Sequence, residues 1–248
     1  KARLTVGFSS ASASFLYDRL TEYPAHLHEI ERNARLLSVF DEDPFFAESC
    51  SNERPQIRLP EWARAECARI VSEIQRRTGL ADFFALAPGS ARPTTQWGEE
   101  GFSALARRLR AATGKAVVLL GGAADRVLCE RIAHQSGAQS LAGKASLPVS
   151  LALLETASAL VSNDSAPAHL AALMNCPTAA IFGPTTPALG FAPRSDRSAI
   201  VENTELPCRP CSPHGGARCP LGTHECMRSL PVEAILRAVL GIARSNAV

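Results

Sequence analysis

The chain has 248 residues, 46% of them apolar, enough to bury a full core as one large or two small domains. Its formal net charge is only +2, and its arginine runs (Arg76-Arg77, Arg107-Arg108 and Arg110) lie on amphipathic helical patterns, which leaves no nucleic-acid footprint. No window approaches the roughly 18 apolar residues of a membrane-crossing helix, and no signal peptide is visible.

The first 50 residues are mixed. A short strand is expected at Leu4–Phe8, followed by the small-residue loop SSASAS. A helix is expected over His28–Phe40, where Ile30, Ala34, Leu37 and Phe40 recur at helical spacing. The chain begins at Lys1 and runs almost at once into a strand, so sequence upstream of it is expected. Pro44, Pro55 and Pro60 punctuate a polar stretch, with a linker placed at 51–60.

From Glu61 the order becomes regular. A helix over Glu61–Thr78 precedes a strand at Phe83–Ala87 and the loop PGSARPTTQW. A helix over Glu99–Thr113 precedes a strand at Ala116–Leu120, a Gly-Gly turn and a helix over Asp125–Gln135. A weaker strand at Gln139–Leu141, a helix over Pro148–Thr156 and a strand at Ala159–Val161 follow. The next helix opens at Ala166-Pro167, and strands at Thr178–Phe182 and Ala199–Val201 precede a Cys-rich segment and a closing helix over Pro231–Arg244. Strands alternating with helices of this length imply a parallel α/β sheet covered on both faces, placed at 61–248. Ligands of such sheets bind beyond the carboxyl ends of the strands, and every polar loop here follows a strand.

The stretch SALVSNDSAPAHLAAL concentrates polar groups where a strand hands over to a helix. Backbone N–H groups there lack helical partners and the helix dipole is positive, which suits a phosphate. Pro167 fits only the first helical turn. His169 falls on the same helix face as Ser165, at i, i+4 spacing. Asp164 and Ser165 could instead cap the helix. Thr94, Thr95, Ser90 and Arg92 offer hydroxyls and a cation to an anion on the same rim. Asp125 reads equally as a helix cap or as an acceptor for ribose hydroxyls. Thr185 and Thr186 are expected to shape a turn.

Cys208, Cys211, Cys219 and Cys226 form a C-x2-C-x7-C-x6-C array with His214 and His224 nearby. Four thiolates so close could hold a structural tetrahedral zinc; free packed thiols in a reducing compartment are the alternative. Cys50, Cys67, Cys129 and Cys176 are scattered and read as structural.

With these residues in view, the chain resembles the bacterial ADP-heptose:lipopolysaccharide heptosyltransferases, glycosyltransferase family 9. The similar stretches are PGSARPTTQWGEEGFSALA, VVLLGGAAD, LAGKASL, VSNDSAPAHLAAL, PTAAIFGPTTP and the Cys-rich tail with HECM, in the family's order. The resemblance implies a GT-B architecture of two Rossmann-like domains, of which residues 1–50 are the remnant of the acceptor-side domain and 61–248 the donor domain. It implies donor contacts at Thr94, Thr95, Asp125, Ala145, Asp164, Ser165, Ala166 and His169, with Ala145 near the adenine. It implies an ADP-sugar donor, a lipopolysaccharide core acceptor, no required cofactor and a cytoplasmic protein, with peripheral association at the inner membrane.

Two positions depart from the family pattern. Thr95 stands where the family usually has a lysine, and Ala166 where it has a glycine. The family's catalytic carboxylate lies early in the N-terminal domain and is expected upstream of Lys1, so no catalytic residue is assigned. A nucleotide-sugar-binding module without transfer, an epimerase on the same fold and a zinc module are the rival readings.

Overall fold

The structure, a computed structural model, describes residues 4–40 and 54–244. By contacts the chain divides into two compact units. One takes in residues up to Gln56 together with Pro187–Ala192; the other takes in Ile57–Thr186 and the chain from Pro193 onward. Pro44 and Cys50 lie outside the described residues.

In the first unit, strand β1 (Val6–Phe8) pairs in parallel with β2 (Arg19–Thr21). Helix α1 (Glu29–Arg35) follows and tightens into a 3-10 turn at Leu36–Val39, within the helical stretch expected from the sequence. A capping box starts α1: the His28 amide donates to Glu31 Oε2 at 2.9 Å, and His28 Nδ1 accepts from the Ile30 amide at 3.2 Å. Arg32 is buried, yet its guanidinium donates to Glu29 at 3.2 Å and to Ala25 O at 2.5 Å, and lies 5.1 Å from the Tyr23 ring centre. The segment Pro187–Ala192 joins this unit through the Glu29 amide, which donates to Gly190 O at 2.9 Å.

The second unit carries a six-stranded sheet. Its helices are α2 (Glu61–Thr78), α3 (Glu99–Thr113), α4 (Arg126–Ser136), α5 (Leu147–Thr156), α6 (Ala166–Leu173), α7 (Glu225–Arg228) and α8 (Val232–Ile242). Its strands are β3 (Phe83–Ala87), β4 (Ala116–Leu119), β5 (Gln139–Ser140), β6 (Ala159–Asn163), β7 (Thr178–Phe182) and β8 (Ser198–Glu202). They are ordered β5-β4-β3-β6-β7-β8 and all pair in parallel.

Two apolar layers hold this sheet, and alternation along each strand assigns every side chain to one of them. In β3, Phe84 and Leu86 face the layer built by α3, α4 and α8, with Leu105, Ile132 and Ile235. Phe83, Ala85 and Ala87 face the layer built by α2, α5 and α6, with Ile74, Leu153 and Ala171. The continuous apolar run of β3, buried at every position, is what a strand covered on both faces requires. Each fully buried Phe contributes about 1.5–3 kcal/mol through removal of apolar surface from water.

Candidate functional site

Between β3 and β6 the chain reverses its winding: β3 feeds α3 on one face, and β6 feeds α6 on the other. At such a switch point the two outgoing loops part and a crevice opens beyond the strand ends. A cleft of about 550 Å³ lies there. The β3 loop lines it with Gly89, Ser90, Arg92 and Thr95, and the β4 loop with Gly121, Gly122 and Asp125. Ala145, and then Asp164, Ser165 and Ala166 from the β6–α6 turn, complete the wall.

Helix α6 begins without a side-chain cap. Ser165 is extended (φ −162°), but its hydroxyl turns to Asn163 O at 3.2 Å and Gly89 O at 3.5 Å rather than to the helix N–H groups. The Asp164 carboxylate accepts instead from Thr185 Oγ1 at 2.6 Å. Neither residue is therefore the cap that their types allow, and the positive end of α6, at Ala166 and Pro167, lines the cleft. Asn163, fully buried, fixes this turn: its Oδ1 accepts from the Trp97 amide at 3.0 Å and its Nδ2 donates to Pro88 O at 2.8 Å. The ends of β3 and β6 are thus locked together by one amide.

Asp164 and His169 share a half-buried environment. Burial raises the Asp164 carboxyl above its ordinary range, opposed by the Thr185 hydrogen bond and by the nearby imidazoles of His169 and His214. Burial lowers the His169 imidazole, opposed by the Asp164 charge. His169 does not itself line the cleft; its imidazole lies near enough to Asp164 for each to favour the charged form of the other.

Asp125 lines the cleft and braces its own turn, but although it precedes α4 its side chain caps no N–H of that helix. Its Oδ2 accepts from the Gly122 amide at 2.9 Å, and its carboxylate is wedged between two glycines. A Cβ on Gly89 would fall 2.1 Å from Asp125 Oδ1, and one on Gly121 would fall 2.7 Å from Asp125 Cβ. Only residues without a side chain let the carboxylate reach the cleft at this point. The helix-cap reading of Asp125 is thus not met: one oxygen serves the Gly122 turn instead, while the residue lines the wall.

The two threonines of the β3 loop divide their work. Thr95 lines the cleft but is almost fully buried, its hydroxyl paired with Ser90 Oγ at 2.6 Å and donating to Arg92 O at 2.9 Å. Thr94 turns away from the cleft. Its hydroxyl accepts from the Gly216 amide at 2.7 Å and donates to Gly216 O at 2.9 Å, while its own amide donates to Gly216 O at 3.2 Å. The exposed cation of this loop is Arg92.

The Cys-rich segment brings its thiols near one another, since the Cys226 thiol feels Cys211, Cys219 and Cys208. The four-thiolate zinc site that the spacing suggests is nevertheless not formed: among the described residues, no group of three or more His, Cys, Asp or Glu is placed to hold a metal ion. The sulfurs are engaged locally instead. Cys211 Sγ donates to Cys208 O at 3.1 Å, and Cys219 Sγ accepts from the His224 amide at 3.4 Å. His224 Nε2 pairs with Thr94 O at 2.6 Å. Arg209, buried within the segment, donates to Thr185 O at 2.8 Å and to Glu202 Oε2 at 2.6 Å.

The sequence model of glycosyltransferase family 9 (heptosyltransferase) matches residues 1–218. The chain belongs to that family. Lipooligosaccharide heptosyltransferase 2 of Haemophilus influenzae is 30% identical over 151 residues, which are 57% of this chain and 43% of that protein. Lipopolysaccharide heptosyltransferase 2 of Escherichia coli K12 is 33% identical over 154 residues, 59% of this chain and 42% of that one. The chain therefore spans less than half the length of these curated relatives. The family 9 glycosyltransferase structure from Veillonella parvula superposes with a TM-score of 0.75 at 20% identity, over 98% of this chain and 67% of that one. The E. coli ADP-heptose lipopolysaccharide heptosyltransferase II structure gives 0.65 at 20% identity, over 90% of this chain and 64% of that one. These likenesses establish the α/β fold, with the Rossmann-like parallel sheet expected of a GT-B donor domain.

Three further residues of this family 9 chain bear on the site, beyond those its sequence marks as donor contacts. Asn163 carries no motif of its own, although its place at the end of a buried strand is a signal that its amide must be satisfied internally. Thr185 orients Asp164 across 21 positions of chain, a distance that no local pattern reveals. His214, from the Cys-rich segment, lines the cleft.

Proposed function

We propose that this chain is the donor-binding part of an ADP-heptose:lipopolysaccharide heptosyltransferase. Residues 61–248 hold the nucleotide sugar, and residues 1–50 belong to the acceptor-side domain, with a linker at 51–60. The observation that carries this reading is the uncapped N-terminus of α6, which opens into the switch-point cleft beside Asp164 and Asp125. In this reading the ADP diphosphate lies against the Ala166 end of α6 and Arg92, the ribose hydroxyls meet Asp125, and the adenine reaches toward Ala145.

The reaction is an inverting displacement. An acceptor hydroxyl oxygen bonds to the anomeric carbon from the face opposite the diphosphate, and the bond from that carbon to the phosphate oxygen breaks. The electron pair leaves with ADP, and the hydroxyl proton passes to a general base. No residue of this chain is assigned as that base. The chain's contribution is to stabilise the departing charge through the helix dipole and its cations, groups already oriented before the reaction begins. No metal cofactor is invoked for this step. The acceptor is the lipopolysaccharide core on lipid A, which places the reaction at the cytoplasmic face of the inner membrane. Among the described residues, no helix is long and apolar enough to cross that membrane.

Calorimetric titration with ADP tests the site. Asp164→Ala is expected to weaken ADP binding because losing the Thr185 bond loosens the β6–α6 turn, an effect larger than the relief of charge repulsion, and His169→Ala to weaken it through Asp164; unchanged affinity removes those residues from the site. A second reading, a module that binds nucleotide sugar without transferring it, is favoured by Thr95, which stands where the family usually has a lysine and whose hydroxyl is committed to Ser90 Oγ and Arg92 O. Product analysis of the full-length protein with ADP-heptose and acceptor separates the two, and conversion of donor alone would identify an epimerase.

A further inference from the structure

We propose that His214, carried into the cleft by the Gly215-Gly216 turn, is a contact for the donor diphosphate. This rests on the donor-binding reading above and assigns to the same cleft a residue from a segment outside the strand-end loops.

Four ionisable groups line the cleft wall: Arg92, Asp125, Asp164 and His214. Two are carboxylates. A diphosphate seated on the α6 terminus would stand beside Asp164, and the repulsion calls for cations on the facing wall. Arg92 is one. His214 brings a second N–H donor to the wall: it lines the cleft and, like His169, lies close enough to Asp164 to favour the charged form of that carboxyl.

The backbone shows how His214 is delivered. The turn lies directly on the β3 loop. Gly215 has φ +75°, and a Cβ there would fall 2.6 Å from Thr95 Cγ2 and 3.2 Å from Thr94 Oγ1. A side chain would both strain the backbone and push the turn off the loop. Gly216 is then held by both its N–H and its C=O through Thr94. A residue pinned so closely to a phosphate-facing loop has little freedom to swing away. The buried Thr94 hydroxyl, turned from the cleft, is therefore a positioning group for His214.

The test is calorimetry with ADP and with AMP on the whole chain, for wild type, His214→Gln, His214→Lys and Gly215→Ala, with thermal melts confirming that each variant folds. His214→Gln keeps a hydrogen-bonding side chain without the charge. It is expected to weaken ADP by about tenfold, the size of a charge-assisted hydrogen bond, while AMP changes by less than about twofold. His214→Lys should recover most of the ADP affinity, and Gly215→Ala should reproduce the loss by displacing the turn. Wild-type-like ADP binding by His214→Gln, or equal losses for ADP and AMP, overturns the assignment. If wild type binds no ADP at all, the donor-binding reading falls and this proposal falls with it.

Discussion

Two regions that border the cleft are built on different principles. One, the β6–α6 turn, is a by-product of regular structure: parallel pairing aligns the strand ends, and an uncapped helix supplies the positive pole. The other, the Cys-rich segment, reaches the cleft through His214 and has almost no regular structure beyond the four-residue α7. It is held by side chains that bond to backbone, namely Thr94 to Gly216, His224 to Thr94 O and Arg209 to Thr185 O. A sheet-based wall tolerates the loss of single contacts because many strand bonds share the load. A stapled wall concentrates its stability in a few buried polar groups, and each is costly to remove.

That contrast is broken hardest at Arg209. Its guanidinium is almost wholly buried, and Glu202, partly buried, depends on it. Arg209→Ala leaves a desolvated carboxylate and strips the backbone acceptors at Thr185 and Asn203 of their donor. The expected cost is about 3–5 kcal/mol, with most of the protein's thermal stability lost. A urea midpoint close to wild type would show that the segment is held by something other than this network.

The regular wall has one comparable weak point. Asn163→Ala deletes the acceptor for the Trp97 amide and the donor for Pro88 O in a fully buried position. Two buried backbone groups then lack partners, for an expected loss of about 2–3 kcal/mol. If the wall is as redundant as its ladder suggests, β3–β6 pairing survives and amide hydrogen exchange in Leu86 stays slow while the Trp97 loop opens. Fast exchange throughout β3 would place Asn163 among the sheet's main supports.

The regular wall is legible in the sequence and the stapled one is not. Alternating runs and helical periods locate α2, α3, β3 and β7 with their observed bounds, because one local pattern sets each of them. The same pattern ends β6 two residues short of Asn163, because a buried Asn looks like loop until its partners are known. The cleft follows from the rule that parallel strands end at one rim. Thr94 reads as a ligand because its hydroxyl sits in the right loop; its commitment to Gly216, 122 positions away, has no local signature. The zinc expectation follows thiol spacing alone, which says nothing about whether the backbone turns the sulfurs toward one point.

A smaller effect compares the two titrating groups at the cleft. Asp164 has its folded pKa raised above the ordinary 3.8 by burial, so its carboxyl favours folding below that value and the benefit is lost as pH rises through the folded pKa. Asp164→Asn, which can still accept from Thr185, should therefore stabilise the ligand-free chain at neutral pH, with the gain fading toward pH 3.8. His169 behaves oppositely: its pKa is lowered from 6.5, so its contribution is present above that value and lost as pH falls through the folded pKa. His169→Gln should flatten the decline in stability below pH 6.5. Urea midpoints across pH for the two variants check both signs, and matching slopes for both would refute the assignment.

The smallest perturbation is chemical and needs no substitution. In the stapled wall Cys219 lies among amide donors, chiefly that of His224, which lower its thiol pKa. In the sheet layers burial pushes the thiols of Cys129 and Cys176 up to about 12. Alkylation requires thiolate and access together, so iodoacetamide at about pH 7.5 should modify Cys219 first and Cys129 and Cys176 last, as read by peptide mass spectrometry. Labelling of Cys129 before Cys219 would contradict the two electrostatic environments. A third pattern would sharpen the contrast between the walls: if Cys208, Cys211, Cys219 and Cys226 are all protected until a chelator is added, the segment closes around a metal ion in solution. Stapling by hydrogen bonds alone would then not account for that wall, because a thiolate bound to metal resists alkylation whatever its amide neighbours do.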